Sequence, residues 1–335
     1  MTKFKKMIAL ALTFGVAISA FAGCSGSSGS GDSEVVIYTN ADDEAIEAMK
    51  STLDENGYEG KYLMQSFGTS ELGGKLLAEG KNIEADLITM SSFYIDSAQE
   101  QQQMFKDLEF DTNALEEYPS YYTPITAQEG AIILNTEMMS ENNLPVPTCI
   151  KDLADPVYSG FVSVTDIESS STAWLLVQAL VDAYGEDEAT EILSGIYKNA
   201  GPHIESSGSA PLKKVRAGEV ALGFGLRHQA VADKASGLPI DFVDPTEGNF
   251  SLTESVAVID KGDNSNPLAM EMAQCIIQNG REKLIQSYPL PLYEGESADS
   301  ENMSEYPKVF PEKLTVDLLE KHQEISANAK AMAEA

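Results

Sequence analysis

From Glu34 onward, short β-branched runs alternate with segments whose apolar residues recur at helical spacing. Glu34-Val-Val-Ile-Tyr-Thr39 predicts a strand closed by Asn40-Ala-Asp-Asp43, and Ala45, Ile46, Ala48, Met49 and Leu53 predict a helix over 44–53. The cycle returns as a strand over 61–65, a loop at Phe67-Gly-Thr-Ser70, a helix over 71–79 and a strand over 85–90 that ends in Ser91-Ser92. Further strands are predicted at 130–135, 161–165, 220–226 and 252–259. Helices are predicted at 173–184, 188–197, 212–217, 267–286 and from Val316 to the end, and Pro145, Pro147 and Pro156 mark an irregular passage. Such alternation implies an α/β fold with a largely parallel sheet. Strands near Ala131 and Ser255 read as two crossings between two α/β lobes, lobe 1 over 33–130 and 250–300, lobe 2 over 131–249 and 301–335. Ligands of such folds sit beyond the carboxyl ends of the strands, here between the lobes.

The first 32 residues follow a different pattern. Lys3, Lys5 and Lys6 precede an uncharged run from Met7 to Phe21, the layout of a secretory signal over 1–23. A bilayer core needs ~20 helical residues, more than this run supplies. Phe21-Ala-Gly-Cys24 resembles the lipobox of bacterial lipoproteins, which implies lipidation at Cys24 and anchoring to the outer face of the cytoplasmic membrane. Residues 24–32 carry nothing that could join a core and read as a flexible Gly/Ser tether.

Composition narrows the partners. With 22 Lys+Arg against 53 Asp+Glu, a net charge of −31 opposes non-specific binding to nucleic acid or to an anionic membrane surface. At 43% hydrophobic and 8% aromatic the chain has material for a sizeable core. Cys149 and Cys275 carry no disulfide-framework signal, so two free thiols are the simpler reading.

Three loops share one property: Phe67-Gly-Thr-Ser70, Ser169-Ser-Ser-Thr172 and Ser207-Gly-Ser-Ala210 each follow a strand, are rich in small hydroxyl residues or glycine, and open a helix. Helix N-termini offer unpaired N–H groups and partial positive charge, so together these loops suit an anion with several oxygens. Taken singly, each is equally a set of helix caps. Arg227, at the end of the strand over 220–226, is placed to fork onto phosphate oxygens or to form an ordinary ion pair. The three histidines form no HExxH motif, and there is no CxxC, GxSxG or phosphate-binding GxxxxGK[ST] loop. The aromatic clusters Tyr121-Tyr122 and Tyr288-Pro-Leu-Pro-Leu-Tyr293 read first as packing.

Several of these segments carry a family likeness. Val35-Val-Ile-Tyr-Thr-Asn40, Phe67-Gly-Thr-Ser70 with Leu76-Leu-Ala-Glu-Gly80, Ala85-Asp-Leu-Ile88, Gly130-Ala-Ile-Ile-Leu-Asn-Thr136, Ser206-Ser-Gly-Ser-Ala-Pro211 and Ala217-Gly-Glu-Val-Ala-Leu222 resemble, in the same order, the type II extracellular solute-binding proteins of ABC transporters. Within that class the chain looks most like the group that binds ferric iron, 2-aminoethylphosphonate or phosphorylated sugars. The resemblance implies a monomeric, non-enzymatic receptor of type II periplasmic-binding-protein architecture, with no cofactor and no resident metal, that captures a small solute and delivers it to a permease. It implies ligand contacts at Asn40, Thr69, Ser70, Ser91, Ser171, Thr172, Ser207, Gly208, Ser209 and Arg227. Ferric-binding members carry paired tyrosines where this chain has Arg227-His228-Gln229, which favours a phosphorylated or phosphonate ligand. The alternatives are a ferric receptor using Tyr121, Tyr122 or Tyr288, a secreted phosphoester hydrolase, and a surface scaffold without a small ligand.

Overall fold

Among the described residues the alternation resolves into a ten-stranded mixed sheet flanked by helices. A computed structural model describes residues 34–298 and 302–335, so the signal segment, Cys24 and the tether lie outside the described residues. The chain begins with β1 (Val35–Thr39), α1 (Asp43–Leu53), β2 (Tyr62–Ser66), α2 (Thr69–Glu79), β3 (Leu87–Ser91) and α3 (Ser92–Gln102). It continues with β4 (Thr123–Asn135), α4 (Thr136–Glu141), β5 (Val162–Thr165), α5 (Thr172–Tyr184), α6 (Glu186–Ala200), β6 (Ile204–Glu205), α7 (Ala210–Arg216) and β7 (Leu222–Leu226). Then come α8 (Arg227–Ala235), β8 (Ile240–Val243), β9 (Asn249–Val258), α9 (Pro267–Ser287), β10 (Pro307–Lys308) and α10 (Val316–Ala333).

Each lobe has its own parallel set. In lobe 1, β1 pairs in parallel with β2 and β3; in lobe 2, β5 pairs in parallel with β6 and β7. Two longer strands join them. β9 runs antiparallel to both β3 and β4, and β4 runs antiparallel to β9 up to Glu129 and to β7 from Gly130 onward. A Cβ on Gly130 would sit 2.5 Å from Phe224 Cζ, so only glycine lets the crossing strand change partners there.

Side-chain alternation sorts the helices. Val35 and Ile37 of β1 face α1 and α9, with Met49, Leu53, Met272 and Ile276. Tyr38 faces the other way, toward Leu72 and Leu76 of α2 and Phe93 of α3. Fully burying each such side chain is worth ~1.5–3 kcal/mol, so both sheet faces hold their helices firmly. In lobe 2, Trp174 of α5 is fully buried between Phe93 and Phe310. Its indole N–H donates to His322 Nδ1 at 2.7 Å, which fastens α10 to α5; burial holds the His322 pKa down to about 4, leaving that nitrogen an acceptor.

The sequence pattern missed three elements that matter below. In α3 the buried side includes Ser92 and Ser97, which blurs the apolar stripe. The first half of β4 contains Pro124 and a register shift between Pro124 and Thr126, features that normally demote a strand. In α8 the first turn buries Arg227, His228 and Gln229, so it reads as polar loop. Cys149 and Cys275 are both free. Among the described residues no helix is long and apolar enough to cross a membrane.

Candidate ligand-binding site

A polar cavity of about 420 Å³ opens between the lobes. The lobe 2 wall consists of the β5–α5 loop, from Ser169 to Thr172, the β6–α7 loop, from Ser206 to Ser209, and Lys213. The lobe 1 wall consists of Asn40 to Asp43 after β1, Ser66 to Thr69 after β2, and Glu71; Gln128 and Glu254 come from the crossing strands. Every loop here leaves the carboxyl end of a parallel strand, so the topology alone gathers them at one edge.

The helix starts are only lightly capped. Gly68, Ser171 and Ser209 stand at the N-caps of α2, α5 and α7, and none makes a side-chain capping bond. Ser170 Oγ takes a long bond of 3.4 Å from the Thr172 N–H, and Ser207 and Ser209 share a contact of 3.4 Å between their hydroxyls. The serines of this wall therefore keep hydroxyl capacity for a ligand. Gly208 closes the wall: a Cβ there would fall on Thr172 Oγ1, so the two lobe 2 loops meet only because this residue has no side chain.

Beside the start of α2, the lobe 1 wall is rich in acceptors. Asn40 Nδ2 donates to Thr69 Oγ1 at 2.9 Å and more weakly to Ser91 Oγ and Glu254 Oε1, each at 3.5 Å, while its Oδ1 is buried without a partner. Glu254, 5% exposed, accepts from Ser91 Oγ at 2.9 Å through Oε1, and its Oε2 has no partner. Burial, opposed by the bonds from Ser91 and Asn40, pushes the Glu254 carboxyl up to about 8. Asp42 caps α1 by accepting from the Ala45 N–H at 3.3 Å, and accepts as well from Tyr288 Oη and from Gln229 Nε2 at 3.3 Å. Burial first, then the neighbouring charge of Glu44, raises it to about 7. His228 Nε2 lies 4.0 Å from Asp42, but burial depresses that imidazole to about 3, so the contact is no ion pair at neutral pH. Lys213 reaches across the cavity to Asp43 at 3.9 Å.

Of the residues expected at the ligand, Asn40, Thr69, Ser171, Thr172, Ser207, Gly208 and Ser209 line the cavity together. Ser91 stands behind the wall, fully buried, and donates its hydroxyl to Glu254. Ser70 is outside the lining. Arg227 requires a correction. It lies away from the cavity, 3% exposed, with Nε on Asp244 Oδ1 at 2.7 Å, Nη2 on Asp244 Oδ2 at 3.1 Å, and Nη1 and Nη2 on the carbonyls of Asn302 and Met303. Leu226, one residue earlier, takes the cavity-facing position. The tyrosines considered for iron do not converge: Tyr121 donates to Asp96 at 2.6 Å, Tyr122 stacks edge-on against it, Tyr288 donates to Asp42, and none lines the cavity. Among the described residues no group of three or more His, Cys, Asp and Glu is arranged to hold a metal.

Sequence reasoning missed Asp42, Asp43, Glu71, Gln128, Lys213 and Glu254. Two of them carried a signal. Lys213 follows Ser209 by one helical turn and so shares its face. Glu254 is an acid inside a strand read as apolar, which calls for a partner or a task.

Two α/β lobes, two crossing strands and a polar cavity at the strand ends define a type II periplasmic-binding-protein fold. Residues 80–306, more than half of the chain, match the family described as bacterial extracellular solute-binding protein, and the chain belongs to that family. The fold is similar to that of the periplasmic binding protein AfuA from Actinobacillus pleuropneumoniae, solved with exogenous fructose-6-phosphate bound: TM-score 0.69, 20% identity, covering 90% of this chain and 97% of that one. It is also similar to a periplasmic thiamin binding protein, with TM-score 0.73, 15% identity and coverage of 93% and 99%. Iron-bound HitA from Pseudomonas aeruginosa gives TM-score 0.67, 19% identity and coverage of 90% and 99%. A curated relative from Haemophilus influenzae, an uncharacterized protein, is 29% identical over 150 residues, 44% of this chain and 43% of its own length. The match thus spans less than half of that relative.

Proposed function

We propose that this solute-binding protein captures a small phosphorylated or phosphonate compound between its lobes and hands it to the transmembrane subunits of an ABC permease. The observation that carries this reading is the convergence of two hydroxyl-rich loops and Gly68-Thr69, with the starts of α2 and α5, on one cavity. Hydroxyls and helix N–H groups hold phosphoryl oxygens without arginine, each bond worth ~0.5–1.5 kcal/mol, and Lys213 adds one charged donor. Such a set is compatible with a micromolar Kd, about −8 kcal/mol. The similarity to AfuA, which carries fructose-6-phosphate, supports the same chemical class. Closure about β4 and β9 would bring the two walls onto the ligand.

The receptor reading is supported by the family, which is one of extracellular solute-binding proteins. The lipobox-like Phe21-Ala-Gly-Cys24 supports a signal peptide, a diacylated Cys24 and an extracytoplasmic position held by the tether.

The test is thermal unfolding against phosphonates, sugar phosphates, cofactor phosphates and ferric salts. A ligand at 100 times its Kd stabilises by ~2.7 kcal/mol, and one phosphorylated or phosphonate compound is expected to do so. Stabilisation by iron alone sinks the proposal.

A further inference from the structure

Besides the cavity, the lobes meet at a dry seam. The first turn of α8, in lobe 2, lies against Asp42 after β1 and Tyr288 at the end of α9, both in lobe 1. The ring centres of His228 and Tyr288 are 4.4 Å apart, and Tyr288 is fully buried. Gln229 Nε2 donates across the seam to Asp42 Oδ2, at a long 3.3 Å. Three other polar atoms of the same turn, His228 Nδ1, His228 Nε2 and Gln229 Oε1, are buried with no partner among the described residues. His228 Nε2 stops 4.0 Å from Asp42 Oδ2, beyond hydrogen-bond reach. The void beside His228, about 10 Å³ and walled in part by Ala127, Pro289 and Leu290, is at the lower limit for a single water, which leaves at least one of the three atoms unrelieved. An unpaired buried polar atom costs more than an ordinary hydrogen bond returns. The seam therefore opposes its own formation, because parting the lobes gives water to the imidazole and the amide at the loss of one long bond.

We propose, on the closure reading above and independently of the ligand's chemistry, that His228 and Gln229 form an opening spring at the interlobe seam. The ligand-free protein rests with its lobes apart, and contacts made by the ligand must offset the cost of drying this turn. The seam thus sets the affinity of the whole cavity without touching the ligand. A pH response comes with it. Burial takes the His228 imidazole from its ordinary 6.5 down to about 3, so acid favours the form in which that ring is hydrated. The charged and titratable groups around the seam are Asp42 and Asp43 after β1, Tyr288 after α9, Glu129 on β4, Glu254 on β9, Lys213 on α7, and Arg227, which is held by Asp244. Burial raises Asp42, Glu129 and Glu254, which act in the opposite sense, and comparison between chains that share them removes their part.

The experiment is small-angle X-ray scattering on the ligand-free full chain, resolved into closed and open fractions, for the unaltered protein, His228→Phe and His228→Gln. At pH 7.5 His228→Phe, which takes polar atoms out of the seam, is expected to raise the closed-to-open ratio at least tenfold and to lower the radius of gyration. His228→Gln keeps polar atoms there and is expected to stay as open as the unaltered chain. From pH 7.5 to 5.5 the ratio in the unaltered chain should fall about tenfold relative to His228→Phe. A His228→Phe chain as open as the unaltered one overturns the spring. Equal compaction of both variants also overturns it, since repacking alone then accounts for the change. Three chains that all scatter as the closed form at both pH values overturn the spring and the closure reading together, whereas three that are equally open overturn the spring alone. If His228→Phe does not fold, His228→Leu carries the same test.

Discussion

Two buried polar clusters sit on the crossing strands, one around Arg227 and one around Glu254, and they differ in completeness. The Arg227 guanidinium spends its donors on Asp244 and on two carbonyls, and Asn249 ties Asp244 Oδ1, at 2.8 Å, to the Gly130 carbonyl, at 2.9 Å. Its face lies 4.7 Å from the Phe242 ring centre. Around Glu254, by contrast, Oε2 and Asn40 Oδ1 go unmatched beside an open cavity. The first cluster locks the place where β4 changes partners. The second leaves two buried acceptors without a partner among the described residues. Charge and burial alone therefore do not distinguish the two clusters; the accounting of donors and acceptors does.

The sharpest way to break this comparison is to empty the complete cluster. Arg227→Ala leaves Asp244 buried and short of its cation, and removing one partner of a buried pair costs about 3–5 kcal/mol. Urea unfolding is expected to record that loss, while the fraction that remains folded binds ligand as before. A selective loss of affinity with unchanged stability would return Arg227 to the binding site.

The Glu254 cluster is expected to respond to pH instead. Its folded-state value of about 8 lies above the ordinary 4.5, so folding favours the neutral form. The stability this contributes is fully present below about pH 4.5 and is lost as the pH rises through about 8, at ~1.4 kcal/mol per unit for one group. Asp42, raised to about 7, acts in the same direction. Up to about pH 6.5 the buried His228 and His322, held neutral in the fold, work in the opposite direction, so ligand-free protein should grow less stable from about pH 6.5 to 8, and Glu254→Gln should flatten that slope. An unchanged slope in the variant would remove Glu254 as its source.

Gly208→Ala probes the donor wall that faces this cluster. The new Cβ would strike Thr172 Oγ1 and crowd Ser170 Oγ at 3.2 Å, forcing apart the loops that meet there. Overpacking of this kind costs about 1–3 kcal/mol, and we expect at least a tenfold loss of ligand affinity by titration. Gly74, with open space around its Cβ position, is the control: Gly74→Ala should leave binding unchanged.

The legible part of this molecule was what depends on local pattern. The strand–helix alternation, the crossings and the hydroxyl loops follow from periodicity and turn chemistry, and seven of the contacts implied by the family resemblance line the cavity together. Arg227 was misplaced because its position, at the boundary between β7 and α8, says nothing of side-chain direction. The turn into α8 aims the guanidinium at Asp244 and at carbonyls 75 and 76 residues away, contacts that only tertiary structure creates. Asp42 and Glu254 were passed over for a similar reason. One lay in the loop that closes β1 and the other inside a predicted strand, and the burial that raises both carboxyls comes from tertiary structure.

The smallest effect concerns Lys213, the single cation in the cavity lining among the described residues. Its side chain is 59% exposed and its partner Asp43 is 93% exposed, so their contact at 3.9 Å is a screened surface pair worth ~0–1 kcal/mol. Lys213→Ala should therefore leave stability almost unchanged. If the anionic end of the ligand lies on the hydroxyl wall, Lys213 would leave Asp43 and turn to it, and its loss would weaken binding by up to about tenfold at low salt. The deficit should shrink as ionic strength rises, because the unaltered protein loses its advantage to screening while the variant has none to lose. A deficit that persists at high salt would mean that Lys213 is desolvated against the ligand, which would shift weight in the anion site from neutral donors to charge.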